Sequence, residues 1–118
     1  MPSPKLSSEE KKRLIKDTRL YNTYGITLKE WEQKLADQGG VCGMCNTLPN
    51  SGVLCTDHLH IKGFKKMLPE QKKKYVRGLI CFLCNTSFGR IERRKDPRDL
   101  LNRINKYFSQ YPIKGEIS

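Results

Sequence analysis

Two Cys-x-x-Cys knuckles constrain this chain more than any other feature of its sequence. Cys42-Gly43-Met44-Cys45 forms the first and Cys81-Phe82-Leu83-Cys84 the second, with Cys45 and Cys81 set 36 positions apart. That spacing suits four thiolates around one tetrahedral zinc ion. A chain of 118 residues has only a modest core, and a metal staple relieves it of the need for a larger one. The expected body is a single small domain over 1–118, with zinc tying two distant segments together.

The opening stretch, MPSPKLSSEEKK, contains no apolar run of the kind a secretory signal needs, so a reducing compartment is expected. There, paired knuckles mean metal more often than disulfide. The odd total of five cysteines agrees, with four as ligands and Cys55 left over. No apolar run approaches the ~18 residues of a membrane span. The formal net charge is +11, and loading four thiolates with one divalent cation lowers it only slightly. A polyanion is the natural partner, and nucleic acid is the commonest. A merely basic accessory protein is the reading that composition leaves open.

In chain order, residues 1–6 read as a disordered lead, within a basic N-terminal helical region over 1–26. Ser7 and Glu10 suggest a capping box for a helix in which Leu14, Thr18 and Tyr21 share a thin stripe, closed by Gly25. Thr27 and Glu30 form a clearer box. Leu28, Trp31 and Leu35 then recur at helical spacing, and Gly39-Gly40 stops the run. Trp31 is expected to pack in the core rather than to stack on a base. The core region spans 27–95. Within it, Asn46 to Gly52 reads as turn and loop, and Val53 to Asp57 as a short strand. Cys55 shares a face with Val53 there, so it reads as a small buried hydrophobe. Val76 to Ile80 is the return strand.

The connection between the strands carries Lys62, Lys65, Lys66, Lys72, Lys73 and Lys74, six lysines within thirteen residues. Gly63 and Pro69 argue for a loop or a short helical turn there. The lysines are either a solvated tip or a phosphate-contacting surface, joined by Arg77 and by Arg90, Arg93 and Arg94 further on. Asn85 to Lys95 begins a helix or extended turn. Asp96-Pro97-Arg98-Asp99 is a strong helix start. Leu100, Leu101, Ile104, Tyr107, Phe108 and Tyr111 make one apolar stripe before Pro112, a C-terminal helix over 96–111 that packs on its own core or on a partner subunit.

Both histidines of the chain lie between the knuckles, in Asp57-His58-Leu59-His60. If the strands pair and the second knuckle leads into a helix, Asp57 and His58 come beside Asn85. A carboxylate and an amide oxygen suit a hard cation such as Mg2+ or Mn2+. An imidazole titrating near neutrality suits proton removal from water. Phosphodiester hydrolysis is the chemistry that uses such a set.

The ordered set CGMC, LCTDHLH and VRGLICFLCNTSFG, with the lead-in YGITLKEWEQKLADQGGVC, resembles the recombination endonuclease VII family of phage proteins, over about residues 21–111. The resemblance implies a small α+β fold, a ββα-metal (HNH-type) nuclease core stapled by a four-cysteine zinc site, with flanking helices. It implies Cys42, Cys45, Cys81 and Cys84 as zinc ligands, and Asp57 and Asn85 as ligands of a catalytic Mg2+ or Mn2+. His58 would be the general base, and His60 a second histidine at the scissile phosphate. The expected partner is DNA, duplex or branched, and the expected place is inside a phage-infected host cell, in its cytoplasm or nucleoid. Three residues beyond Asn85, where the best-known relative has a glutamate, this chain has Phe88. Its lysine-rich connection is also longer than the family's usual turn. Both departures favour nicking or cutting with little sequence specificity over dedicated junction resolution. Dimeric resolution of four-way junctions, or a non-catalytic zinc DNA-binding role, are the alternatives, and monomer against homodimer is open.

Overall fold

The computed structural model describes residues 5–49 and 53–116. Most of the expected N-terminal lead and the tip of the loop at Asn50 to Gly52 lie outside the described residues. The order is α1 (Ser8–Tyr24), α2 (Leu28–Asp37), β1 (Cys55–His58), a 3-10 turn (Phe64–Lys66), α3 (Pro69–Lys72), a second 3-10 turn (Lys73–Tyr75), β2 (Val76–Ile80), α4 (Phe82–Glu92) and α5 (Pro97–Gln110). The fold is therefore small α+β, with five helices and a two-stranded antiparallel sheet among the described residues. None of those helices is long and apolar enough to cross a membrane. The chain divides into two compact units, one ending at Phe82 and one beginning at Leu83.

In the first unit, α1 starts where Ser7 accepts from the Glu10 N–H, while the Ser7 hydroxyl donates to the Glu10 carboxylate at 3.2 Å. It ends at Gly25, whose φ of 80° places it in the left-handed region that glycine tolerates best. A second constraint acts at this position. A Cβ on Gly25 would sit 1.9 Å from the Pro69 carbonyl oxygen, so the close approach of α3 to the α1–α2 corner depends on the missing side chain.

The expected α1 stripe of Leu14, Thr18 and Tyr21 faces outward instead; all three are exposed. The positions turned inward are Asp17, Leu20 and Tyr24, each partly buried. Asp17 belongs there because its carboxylate accepts from the Leu28 N–H at 2.7 Å, tying α1 to the start of α2. Hydrophobic spacing alone passes over such a polar tie.

At α2 the reciprocal Thr27–Glu30 capping box is present. Leu28 is buried and Trp31 and Leu35 are partly buried, as their spacing predicts. The Trp31 indole N–H donates to Thr56 Oγ1 at 3.1 Å, seating α2 against β1. Gln38, just past α2, clamps β2 with one amide: it donates to the Val41 and Leu79 carbonyls and accepts from the Leu79 N–H, at 2.8 to 2.9 Å. Ile26, Leu28, Leu54, Phe64, Leu79 and Ile80 form the buried apolar core around this frame.

The hairpin pairs Cys55 with Ile80, Thr56 with Leu79 and His58 with Val76. The last step skips a residue on β2, so a bulge lies opposite Asp57. Bulges bend a strand and re-aim side chains. The first strand is shorter than expected: Val53 is exposed and Leu54 buried before the ladder begins, and Cys55 is only partly buried. Cys55 thus departs from the fully buried position that alternation with Val53 suggested. Burial still pushes its thiol above the ordinary range.

In the second unit, α5 begins after Asp96, whose backbone carbonyl accepts from the Leu100 N–H at 2.9 Å. Its carboxylate does not cap the helix but accepts from Arg103 at 2.7 Å. The apolar stripe exists, with Leu100 and Ile104 partly buried and Leu101, Tyr107, Phe108 and Tyr111 exposed. Tyr107 meets Phe108 edge-on at 5.2 Å and Tyr111 at 4.9 Å.

Candidate metal cluster and histidine site

The four knuckle sulfurs form one cluster, with all ligand atoms of Cys42, Cys45, Cys81 and Cys84 within 4.8 Å of one another. Four thiolates about 2.3 Å from a zinc ion would stand roughly 3.8 Å apart, and Cys45 Sγ lies 3.9 Å from Cys81 Sγ. The cluster is thus compatible with a structural zinc, and no disulfide joins any of the five cysteines.

Backbone geometry prepares this cluster for an anionic ligand set. Cys42 is fully buried, and its sulfur accepts from the N–H groups of Met44 at 3.4 Å, Cys45 at 3.5 Å and Cys81 at 3.3 Å. Burial pushes the thiol up, but the donors from Cys45, Cys81 and Met44 together outweigh it and bring its pKa down to about 6. The tight turn behind these donors uses Asn46 at φ 60°, a left-handed position that asparagine adopts more readily than most residues. A further main-chain bond from Gly43 N–H to the Leu79 carbonyl at 2.8 Å fastens the first knuckle to β2.

Asp57 and His58 stand at the end of β1, with Asp57 buried and His58 partly so. Arg77 grips the Asp57 carboxylate with two bonds, Nε to Oδ2 at 2.7 Å and Nη2 to Oδ1 at 3.0 Å. The bulge accounts for this, since it sets Arg77 and Asp57 across from one another. Each carboxylate oxygen thus accepts a bond from the guanidinium of Arg77. His58 lies among aromatic rings. Phe64 stacks on it at 4.3 Å and an interplanar angle of 16°. His60 is tilted at 4.7 Å and Tyr24 at 5.7 Å. Asn85 lies in the second unit, on the first turn of α4 directly after Cys84, and is partly buried.

The strand connection is a docked structure rather than a free tip. Its short helical turns agree with the reading from Gly63 and Pro69. Lys72 corrects an expectation: it is buried, its ammonium donating to the Asn22 carbonyl at 2.7 Å and lying 5.7 Å from the Phe64 ring centre. A lysine spent inside the fold does not contact phosphate. Lys73 is exposed but paired with Glu30. Lys62, Lys65, Lys66 and Lys74 are exposed, as are Arg77, Arg90, Arg93 and Arg94. Sequence reasoning missed Phe64, Tyr24 and the Arg77–Asp57 pair. The one available signal was an aromatic residue inside a lysine run, where only burial keeps it from water.

The four-cysteine cluster is of the kind that can hold a metal ion, in a small α+β fold. More narrowly, the chain belongs to the recombination endonuclease VII family, whose sequence model matches residues 17–110. It is similar to the Gene 59 protein of Mycobacterium phage L5, 37% identical over 70 residues, covering 58% of this chain and 36% of that protein. It is also similar to the Gene 59 protein of Mycobacterium phage D29, 31% identical over 97 residues, covering 81% of this chain and 51% of that protein. The chain thus spans between about a third and a half of these relatives' length. No solved structure matches it.

Proposed function

We propose that this chain is a metal-dependent DNA endonuclease of the HNH type, with four cysteines holding a structural zinc and His58 acting as general base. The supporting observation is the family match over 17–110, which includes the Asp57-His58 end of β1 and both knuckles. Asp57 and Asn85 would hold a catalytic Mg2+ or Mn2+, which when bound supplies charge stabilisation on the phosphate and the leaving oxygen. His58 takes a proton from water, the water oxygen attacks phosphorus, and the phosphorus–oxygen bond to the leaving sugar breaks. His60 orients the scissile phosphate. Lys62, Lys65, Lys66, Lys74, Arg90, Arg93 and Arg94 approach backbone phosphates, which position the enzyme without reading bases. Lysine is a mobile point charge and favours this role over base recognition.

The test is cleavage of matched duplex, single-stranded and four-way-junction DNA in Mg2+, with the cut strands mapped. Duplex cleavage at many sequences supports the reading. Absence of cleavage on every substrate, with zinc and fold intact, leaves a zinc DNA-binding domain instead. A second reading, a dimeric junction resolvase, is favoured by the exposed Leu101, Tyr107, Phe108 and Tyr111 of α5, since symmetric cuts call for two-fold symmetry. Sedimentation of the purified protein with and without junction DNA separates the two.

A further inference from the structure

We propose that Phe64 is a positioning residue for the His58 imidazole, so that the connection between the strands belongs to the catalytic apparatus. This rests on the reading of His58 as general base. A phenylalanine amid lysines is only 7% exposed, and its ring lies nearly parallel to that of His58, 4.3 Å away. Face-to-face contact of this kind blocks rotation of the imidazole about its last side-chain bond. The ring nitrogens lie in the imidazole plane, so a ring on its face does not itself cover them. His60 and Tyr24, both tilted against His58, narrow its freedom further.

Phe64 can do this only if its own segment is held, and the fold holds it at several points. Gly63 turns the chain at φ 82°, and the Met67 N–H closes the 3-10 turn on the Phe64 carbonyl at 3.1 Å. Lys72 places its ammonium near the Phe64 ring and anchors it on Asn22 at the end of α1. Lys73 pairs with Glu30 on α2. Pro69 packs where only a glycine at position 25 leaves room. The connection is therefore docked on the α1–α2 corner, and Phe64 is the part of it that reaches the base.

The test compares Phe64→Leu, Phe64→Tyr and Ile26→Val, the last being a change at a fully buried core position outside the stacked ring pair itself. Misplacing a reacting group by about 1 Å can cost up to ~100-fold in rate, so Phe64→Leu is expected to lower kcat roughly tenfold or more, with DNA affinity in Ca2+ unchanged. Phe64→Tyr keeps the ring and is expected to keep the rate. Ile26→Val is expected to lower thermal stability without changing kcat. Proton NMR supplies a readout independent of cleavage: the His58 ring protons should resonate upfield in the wild type and lose that shift in Phe64→Leu. Wild-type kcat in Phe64→Leu, an equal loss of kcat in Ile26→Val, or an unshifted His58 in the folded wild type would each overturn the proposal. Should Phe64→Leu fail to fold, the wild-type spectrum and Phe64→Tyr still decide it. A fully active His58→Ala would overturn the base assignment itself, while the NMR shift would continue to report the stack.

Discussion

The cysteine cluster and the histidine end of the hairpin are both built on the sheet, yet they are held in different ways. The cluster is made by two Cys-x-x-Cys segments, one a turn and one running into α4, each offering two sulfurs three residues apart, with main-chain donors already aimed at Cys42. The histidine end is assembled from parts far apart in sequence: Tyr24 from α1, Phe64 from the connection, and Arg77 from β2 gripping Asp57. Local turn geometry survives changes elsewhere in the fold. A site assembled from distant segments depends on the docking of each.

The largest expected effect falls on the cluster. Cys81→Ser, or removal of zinc by a strong chelator, should unfold the domain. Structural zinc contributes ~10–16 kcal/mol of apparent binding energy in small metal domains, against a typical total stability of about 5–15 kcal/mol. Circular dichroism and elemental analysis measure this, with about one zinc per chain expected. A folded, zinc-free, active protein would break the comparison by showing that the cluster is dispensable.

Next comes the histidine end, where chemistry rather than folding should fail. His58→Ala is expected to lower the cleavage rate by a factor on the order of 10²–10⁴, the usual range for a general base. Its circular dichroism, zinc content and DNA affinity in Ca2+ should match the wild type. A variant that lost its fold instead would show that the two regions are not separable.

A smaller effect is expected from the exposed lysines of the connection. Changing Lys62, Lys65 and Lys66 together to glutamine should weaken binding similarly across unrelated sequences. It should also reduce the slope of log affinity against log salt by roughly one unit per lost phosphate contact. Lys72→Gln should behave differently, lowering thermal stability because its ammonium serves Asn22 inside the fold. A salt titration and a melting curve on each variant distinguish the solvent side of the connection from its docked side.

The smallest effect concerns the pairing that docks the connection on α2. The bond from Lys73, with help from Thr27, holds the Glu30 carboxyl below its ordinary range. A carboxylate whose folded pKa is depressed stabilises the fold above its unfolded value of about 4.3 and loses that contribution as pH falls through the folded value. Glu30→Gln should therefore flatten the acid limb of stability against pH, modestly, because the pair is largely solvated. An unchanged acid limb would mean that the connection is held by Lys72 and Pro69 without this pair.

Much of this molecule was determined by sequence alone, and the reason is the short range of the forces involved. CxxC spacing, the Thr27–Glu30 box, Pro97 at a helix start and the glycine stop at position 25 each express backbone geometry within a few residues. Their consequences appear in the structure where spacing puts them. Tertiary structure alone decided which charges are available. Lys72 and Lys73 are adjacent and chemically identical, yet one is buried on a carbonyl and the other is exposed beside a carboxylate. It also decided that Asp17, rather than a hydrophobic residue, faces inward on α1, and that a bulge brings Arg77 to Asp57. These outcomes depend on polar partners many positions away. A single buried hydrogen bond or ion pair overrides the weak preference of a side chain for water, and no periodicity in the sequence records where its partner will be.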